Sequence, residues 1–476
     1  MLAALGFGYL FFANRPSNTA PIESIAVMPF FNVAADPDTE YLSDGISESL
    51  INRLSELPQL KVIARSSSFR YRGENIDVQE VTNKLGVQAV VLRKVARRGD
   101  NLAVRVEMVN VRENRQMWSR QYNRRAADAL AVREEIAQTI AAELQTRLSR
   151  AQQRQFARRK TSDPQAYELL LKGHFYRNKT GAENSKKAAE FYRQAINADP
   201  DYAPAYAALS VSYSDLTHNS ILDPQEFTPK AEAAARKALE LDENLAEAHD
   251  ALALLKLNAW DWAAAEQEYR RAIELNPNFA KAYNGYAFYL SLVGRHDQAV
   301  AEARRARDLN PLSPAVNASL GYALLMAQRY DEAQEILINA LEMEPNNPFT
   351  NGVLAHIYLA KKMYAEAVAA FRRVIEMGGE PGYQIYLGAA YARSGKREPA
   401  QTILKRLEAA ENYVSPGELA VLYAALGERE GAFASLERAF AAHDAQLQFL
   451  QVEPAFDTMR SDPRFADLLR RVGFPS

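Results

Sequence analysis

The chain contains no cysteine. That excludes disulfides, thiolate metal sites, a cysteine nucleophile and a lipid-bearing cysteine, and it is compatible with an oxidising compartment. Histidine is also scarce: His174, His218, His249, His296, His356 and His443 are scattered and form no H-E-x-x-H pair. The pattern therefore gives no support to a zinc site. No Walker or Rossmann glycine fingerprint follows a strand-like run, and Gly6-Phe7-Gly8 lies in an apolar N-terminus instead. Gly45-Ile46-Ser47-Glu48-Ser49 approaches a nucleophile elbow, but it lacks the final glycine and falls inside a predicted helix. Charge of one sign is missing as well. The net charge of −2 and pI near 6.4 exert no overall pull toward nucleic acid or an anionic membrane. What is left has no catalytic constellation, no cofactor site and no metal ligand set, in a chain whose 48% apolar and 24% charged residues are ordinary for a soluble protein.

Long apolar runs are short of a span too. Met1–Ala13 is wholly apolar, but thirteen helical residues rise about 20 Å, less than the roughly 20 residues a bilayer needs. No positive n-region or small-residue cleavage site marks a signal peptide. The run is either a buried N-terminal helix or the end of a transmembrane helix. The polar tether at 14–22 leaves it nothing to pack on and favours the membrane.

The strongest pattern is a repeat. Pro277, Pro311 and Pro345 are 34 residues apart, and Gly379 falls another 34 on. Ahead of these markers the pairs Ala265/Ala272, Ala299/Ala306, Ala333/Ala340 and Ala367/Val374 recur at the same interval. Small residues seven apart lie on one helical face two turns from each other, where they permit close helix approach. The skeleton extends forwards through Leu387-Gly388, Tyr391 and Ala400, then Leu419, Tyr423, Gly427, Ala432 and Ala439. It extends backwards through Leu209, Tyr213, Ala231 and Ala238, with an insertion at His218–Phe227, and through Gly173, Tyr176, Ala188, Ala195 and Pro200, with a shorter insertion around Gly181. About eight units result over 163–444, with 445–476 as a capping segment. The chain here resembles the tetratricopeptide repeat family, whose helix–turn–helix unit has this period.

Ahead of the repeats the periodicity changes. Residues 24–30 read as a strand, and Asp36, Asp38 and Glu40 as a polar loop before a helix carrying Ile46, Leu50, Ile51, Leu54 and Leu57. Strands follow at 60–64 and 87–95, with a helix at 76–85 ended by Gly86. The turn Gly99-Asp100-Asn101 leads into Leu102–Val111, where apolar and polar residues alternate, and Trp118–Tyr122 and an amphipathic helix at 127–148 complete the region. The order describes a small α/β domain on a mixed sheet over 23–146. The whole chain is thus α+β, with a small α/β domain followed by an all-α superhelical solenoid.

These residues carry a second resemblance. SIAVMPF, DPDTEYLSDGISESLINRLSELPQLKVIARSSSFRYRG, LGVQAVVLRKVARRGDNLAVRVEMVN and MWSRQY resemble the TolB amino-terminal-like (FlgO-related) domain. That resemblance implies a module just outside the bacterial inner membrane, followed by tetratricopeptide repeats. It also implies an upstream winged-helix, adenylate cyclase or kinase module, of which this chain shows nothing.

Other candidates have ordinary explanations. The cluster Asp36, Asp38, Glu40 and Asp44 fails the EF-hand spacing and reads as helix N-terminal charge. Arg147, Arg150, Arg154, Arg158, Arg159 and Lys160, in a basic linker helix at 147–162, could meet phosphates, but without interleaved aromatics the run reads as a solvated face. Trp260 and Trp262 could contact a ligand, although aromatics in a repeat turn more often pack between helices.

A solenoid offers a concave face to a protein or peptide partner. Position nine of successive units is Leu254, Phe288, Tyr322 and His356, with Asn284 and Phe349 nearby. These six form a candidate groove, either as contacts for a partner or as core between helices. The function expected is a non-enzymatic, membrane-anchored, periplasm-facing interaction scaffold with no cofactor. The alternatives are the sensory half of a larger signalling protein and a cytoplasmic location.

Overall fold

The computed structural model describes residues 22–32, 37–73, 76–111, 113, 115–125, 128–144, 161, 163–179, 181–218, 222–378, 382–410 and 414–475. Met1–Ala13, most of the tether and most of the basic linker lie outside the described residues.

The N-terminal domain is a mixed sheet. Strands β1 (Ser24–Val27), β2 (Phe31–Asn32), β3 (Lys61–Val62), β4 (Ala89–Arg98), β5 (Asn101–Asn110) and β6 (Arg115–Arg125) are arranged β3-β1-β4-β5-β6, with β2 beside β4. Pairing is parallel among β1–β4 and antiparallel along β4-β5-β6. Helices α1 (Pro37–Ser55) and α3 (Ala129–Glu143) cover one face, where Ile46, Leu50, Ile136 and Ile140 meet Val104 and Val106. Helix α2 (Val78–Leu85) covers part of the other face through Val81 and Leu85 against Ala26, Met28 and Val90. Asp77 caps α2 by accepting from the N–H groups of Gln79 and Glu80, and Gly86 ends it at φ +62°.

Two expectations need correction. The run 24–30 is not one strand: β1 ends at Val27, and the chain re-enters the sheet as β2. Helix α1 begins at Pro37, inside the stretch read as a loop, because proline tolerates the first helical turn, where its missing N–H has no partner to lose.

Eight antiparallel helix pairs follow. Unit 1 is α4 (Pro164–Arg177) with α5 (Ala182–Ala198), unit 2 is α6 (Ala203–His218) with α7 (Pro224–Leu241), unit 3 is α8 (Ala246–Asn258) with α9 (Trp262–Leu275), and unit 4 is α10 (Ala280–Leu292) with α11 (His296–Leu309). Unit 5 is α12 (Pro314–Met326) with α13 (Tyr330–Met343), and unit 6 is α14 (Pro348–Ala360) with α15 (Tyr364–Glu376). Unit 7 is α16 (Gly382–Arg393) with α17 (Arg397–Glu408), and unit 8 is α18 (Pro416–Ala425) with α19 (Arg429–Ala441). Of the insertion read at 218–227, His218 ends α6 and residues 224–227 belong to α7, while 219–221 lie outside the described residues.

The small residues of the repeat are the close-contact positions. Ala265, Ala272, Ala299, Ala306, Ala333, Ala367 and Val374 are wholly buried. Gly321 serves the same end, since a Cβ there would come within 2.7 Å of the Leu337 side chain. The turn inside each of units 3–6 has one left-handed residue, at Trp260, Gly294, Gln328 and Lys362, again 34 apart. Only Gly294 adopts that conformation without steric cost. First helices of successive units touch one another while second helices scarcely do, so the array curves with its first helices on the inside.

The sheet domain is seated on this curve. Leu171 of α4 enters the sheet-domain core against Gly45, where a Cβ would lie 2.8 Å from the leucine. Farther along, one polar position per unit meets the same domain: Asn276 donates to Ser55 Oγ, Asn310 accepts from Ser66 and Ser67, and Glu344 pairs with Arg70. Asn278 caps the open edge of β3. Its Oδ1 accepts from Val62 N–H at 3.1 Å, and its NH2 group faces the carbonyls of Leu60, Ser55 and Leu57 at 2.8, 3.0 and 3.3 Å.

Candidate functional site

The inner face is built by the first helices, and position nine of each falls there because 34 residues return the chain to the same point of the next unit. Leu254, Phe288, Tyr322 and His356 are all half-buried on it. Phe288 and Tyr322 lie with ring centroids 5.9 Å apart. The ring of His356 meets Tyr386 edge-on at 4.3 Å and Phe371 at 5.2 Å. Asn284 is half-buried, and its Oδ1 has no partner among the described residues. Phe349 stands apart: it is 45% exposed at the first turn of α14 and joins none of these ring contacts.

The face is not open. After α19 the chain makes two 3₁₀ turns, Ala445–Phe449 and Pro454–Met459, before α20 (Pro463–Val472). The first turn reaches across to α8, and both turns lie against α18. Leu447, Leu450, Phe456 and Met459 are buried in the solenoid core. Phe449 meets Phe288 at 5.9 Å, and Tyr386 Oη donates to Glu453 Oε2 at 3.2 Å. Burial holds the Glu453 carboxyl above its ordinary value, although the Ala455 N–H and the nearby Arg393 act against the rise. Burial, with Glu453 beside them, also raises the Tyr322 and Tyr386 hydroxyls, and burial lowers His356 to about 4. The polar edge of the face is thus held neutral on the solenoid side, against a carboxyl from the chain's own C-terminal segment.

A clasp closes the curve. Trp262 Nε1 donates to Val472 O at 3.1 Å, and its ring stacks on Phe474 at 4.6 Å. The Trp260 ring stacks on His443 at 3.8 Å. Both tryptophans of the unit 3 turn therefore pack against the C-terminal end. Tyr386, Phe449 and Glu453 were missed by sequence reasoning because the one-residue slip before unit 7 and the break after unit 8 put them outside the 34-residue register. The repeated aromatic and leucine pattern of LQFLQVEPAF was the available signal.

The remaining candidates resolve locally. Ser47 of the elbow-like motif accepts from Phe30 N–H and donates to Ser43 O, so its hydroxyl is used in packing the helix to the sheet. Asp44 is engaged by Arg72 at 2.7 Å and Arg65 at 3.5 Å. Among the described residues no group of three His, Cys, Asp or Glu is placed to hold a metal, and no helix is long and apolar enough to cross a membrane.

Family models of the tetratricopeptide repeat match residues 268–301, 291–348 and 324–384. Among curated proteins the chain is similar to "Putative adenylate cyclase 3" of Rhizobium meliloti, 32% identical over 244 residues, or 51% of this chain. The match spans 41% of that relative's length. Among solved structures it is similar to a tetratricopeptide repeat protein from Parabacteroides merdae (17% identical, TM-score 0.40, covering 56% of this chain and 99% of that one). It is also similar to Pseudomonas aeruginosa pilF (23% identical, TM-score 0.35, covering 43% and 90%) and to the APC/C hetero-tetramer Cut9-Hcn1 (17% identical, TM-score 0.45, covering 72% and 63%). With the 34-residue register, the paired helices and these family matches together, the helical body of this chain is a solenoid of tetratricopeptide repeats.

Proposed function

We propose that the chain is a non-enzymatic scaffold that takes a protein or peptide partner on the inner face of its solenoid. Its partner-facing residues are Leu254, Asn284, Phe288, Tyr322 and His356, with Phe349 at the rim, and it is held at the bacterial inner membrane with its body in the periplasm. The observation that carries the reading is the occupied inner face: residues 445–459 lie against it as two short 3₁₀ turns with apolar anchors, so its chemistry suits a peptide. The resemblance of 24–122 to the TolB amino-terminal-like domain, and the apolar run Met1–Ala13, support the location.

Affinity capture from envelope extract tests the scaffold. The parent chain retains a defined partner, and Phe288→Ala with Tyr322→Ala, kept below its own melting temperature, loses it; equal capture by both overturns the assignment. Membrane fractionation tests the anchor: the full chain resists high-salt extraction, and its recovery in the detergent-free soluble fraction refutes anchoring.

A second reading is favoured by the Rhizobium meliloti relative, whose name points to cyclase signalling and whose length exceeds the match. In it the present chain is the sensory half of a larger regulator. Sequencing the coding frame upstream of Met1 decides: an in-frame cyclase, kinase or winged-helix module supports it, and a stop codon refutes it.

A further inference from the structure

The C-terminal segment fits the inner face imperfectly. Its apolar anchors Leu447, Leu450 and Phe456 are buried, but three defects accompany them. Gln448 is only 8% exposed, and its Oε1 is buried without a hydrogen-bond partner among the described residues. Glu453 brings a carboxyl into apolar surroundings with Tyr386 as a side-chain donor. A residual cavity of about 10 Å³, the room of about one water, remains between the segment and Tyr386, Glu418 and Val421. An orphaned acceptor and a desolvated carboxylate each weaken the contact that holds them. The segment is also two short 3₁₀ turns whose backbone hydrogen bonds are local, such as Leu447 N–H to Asp444 O, Leu450 N–H to Leu447 O and Phe456 N–H to Glu453 O, so these bonds do not tie it to the solenoid.

We propose that residues 445–459 are a built-in competitive ligand that keeps the inner face of units 3–8 closed until a partner peptide displaces them. The proposal rests on the scaffold reading above and deepens it by naming the partner's chemistry. The displacing peptide presents an aliphatic–aromatic turn in the manner of Leu447-Gln448-Phe449-Leu450. An uncharged hydrogen-bonding side chain stands where Glu453 stands, and an aromatic follows three residues later. Tethering gives the internal copy an effective concentration on the order of millimolar, so a partner must bind better than the copy rather than merely bind. The defects leave room for that. A peptide with an apolar residue at the Gln448 position and an amide at the Glu453 position keeps the anchors and avoids both.

The test uses the full chain and fluorescent peptides covering 444–460, one native, one carrying Gln448→Leu and Glu453→Gln, and one scrambled. The repaired peptide is expected to bind about tenfold or more tighter than the native one, and to raise hydrogen exchange across 445–459 while α16 and α18 stay protected. Phe449→Ala in the chain is expected to strengthen binding of both unscrambled peptides. Tyr386→Phe, which removes only one hydroxyl, should raise exchange at 445–459 alone, and it keeps the test readable if Phe449→Ala unfolds. A repaired peptide no tighter than the native or scrambled one overturns the proposal. So does loss of protection in α16 and α18 together with the segment in Tyr386→Phe, since the segment is then core. Either failure leaves partner capture by another surface intact, so the scaffold reading stands or falls on its own experiment.

Discussion

Asn278→Ala would remove the side chain that joins the solenoid to the open edge of β3. Asn278 is 8% exposed and Val62 1% exposed, so the groups it serves have little access to solvent. Truncation orphans the Val62 N–H, whose acceptor is 3.1 Å away, and the Leu60 and Ser55 carbonyls, whose donor is at 2.8 and 3.0 Å. Each buried polar group left without a partner costs about 1–3 kcal/mol, and a water entering the space recovers part of that. The net cost is therefore about 3 kcal/mol, with about 2 as the lower end. Hydrogen exchange followed by mass spectrometry reads it at the site. A loss of 2 kcal/mol raises exchange of the Val62 amide about 30-fold, if opening of this joint governs it. Asn346→Ala, an exposed asparagine of a later unit, is the control and should cost under about 0.5 kcal/mol. Asn278→Asp keeps the acceptor for Val62 but turns a second oxygen toward three carbonyls, so it should be worse than alanine. If Asn278→Ala exchanges no faster than Asn346→Ala, or the aspartate variant matches the parent, the joint does not exist in solution as described.

Further tests probe the register and the inner face. Ala306 is wholly buried and Arg305 exposed, so Ala306→Leu should overpack its helix interface by about 1–3 kcal/mol while Arg305→Leu stays within about 0.5; equal melts would disprove the register. His356 is lowered from its ordinary 6.5 to about 4 by burial. The native chain thus binds fewer protons there than the unfolded chain between those values, and the stability His356 supplies is present above 6.5 and lost as pH falls toward 4. Part of the ring remains accessible, so the loss is about 1–3 kcal/mol, and His356→Phe should flatten denaturation midpoints across that range. Glu453 acts in the opposite sense, because its raised native carboxyl makes stability decline as pH climbs past the ordinary carboxylate value. Glu453→Gln should raise the melting temperature at pH 7.5, by an amount that shrinks toward pH 5; no gain at either pH refutes the buried carboxyl.

The solenoid was legible in the sequence because its physics is local. A 34-residue period with small residues seven apart implies paired helices in close contact, whatever lies elsewhere in the chain. Alternation in 102–111 and the glycine at position 86 marked a strand and a helix end for the same reason, and the period alone put Leu254, Phe288, Tyr322 and His356 at one position of successive first helices. What only the tertiary structure decided is everything carried by contacts between residues hundreds apart. No period connects Asn278 to the edge of β3, and Trp262 meets Val472 only because the array curves through six units. The inner face could be predicted, but not its occupant. Residues 445–459 follow no repeat, so their place is set by which apolar surface remains uncovered once the eight units have stacked.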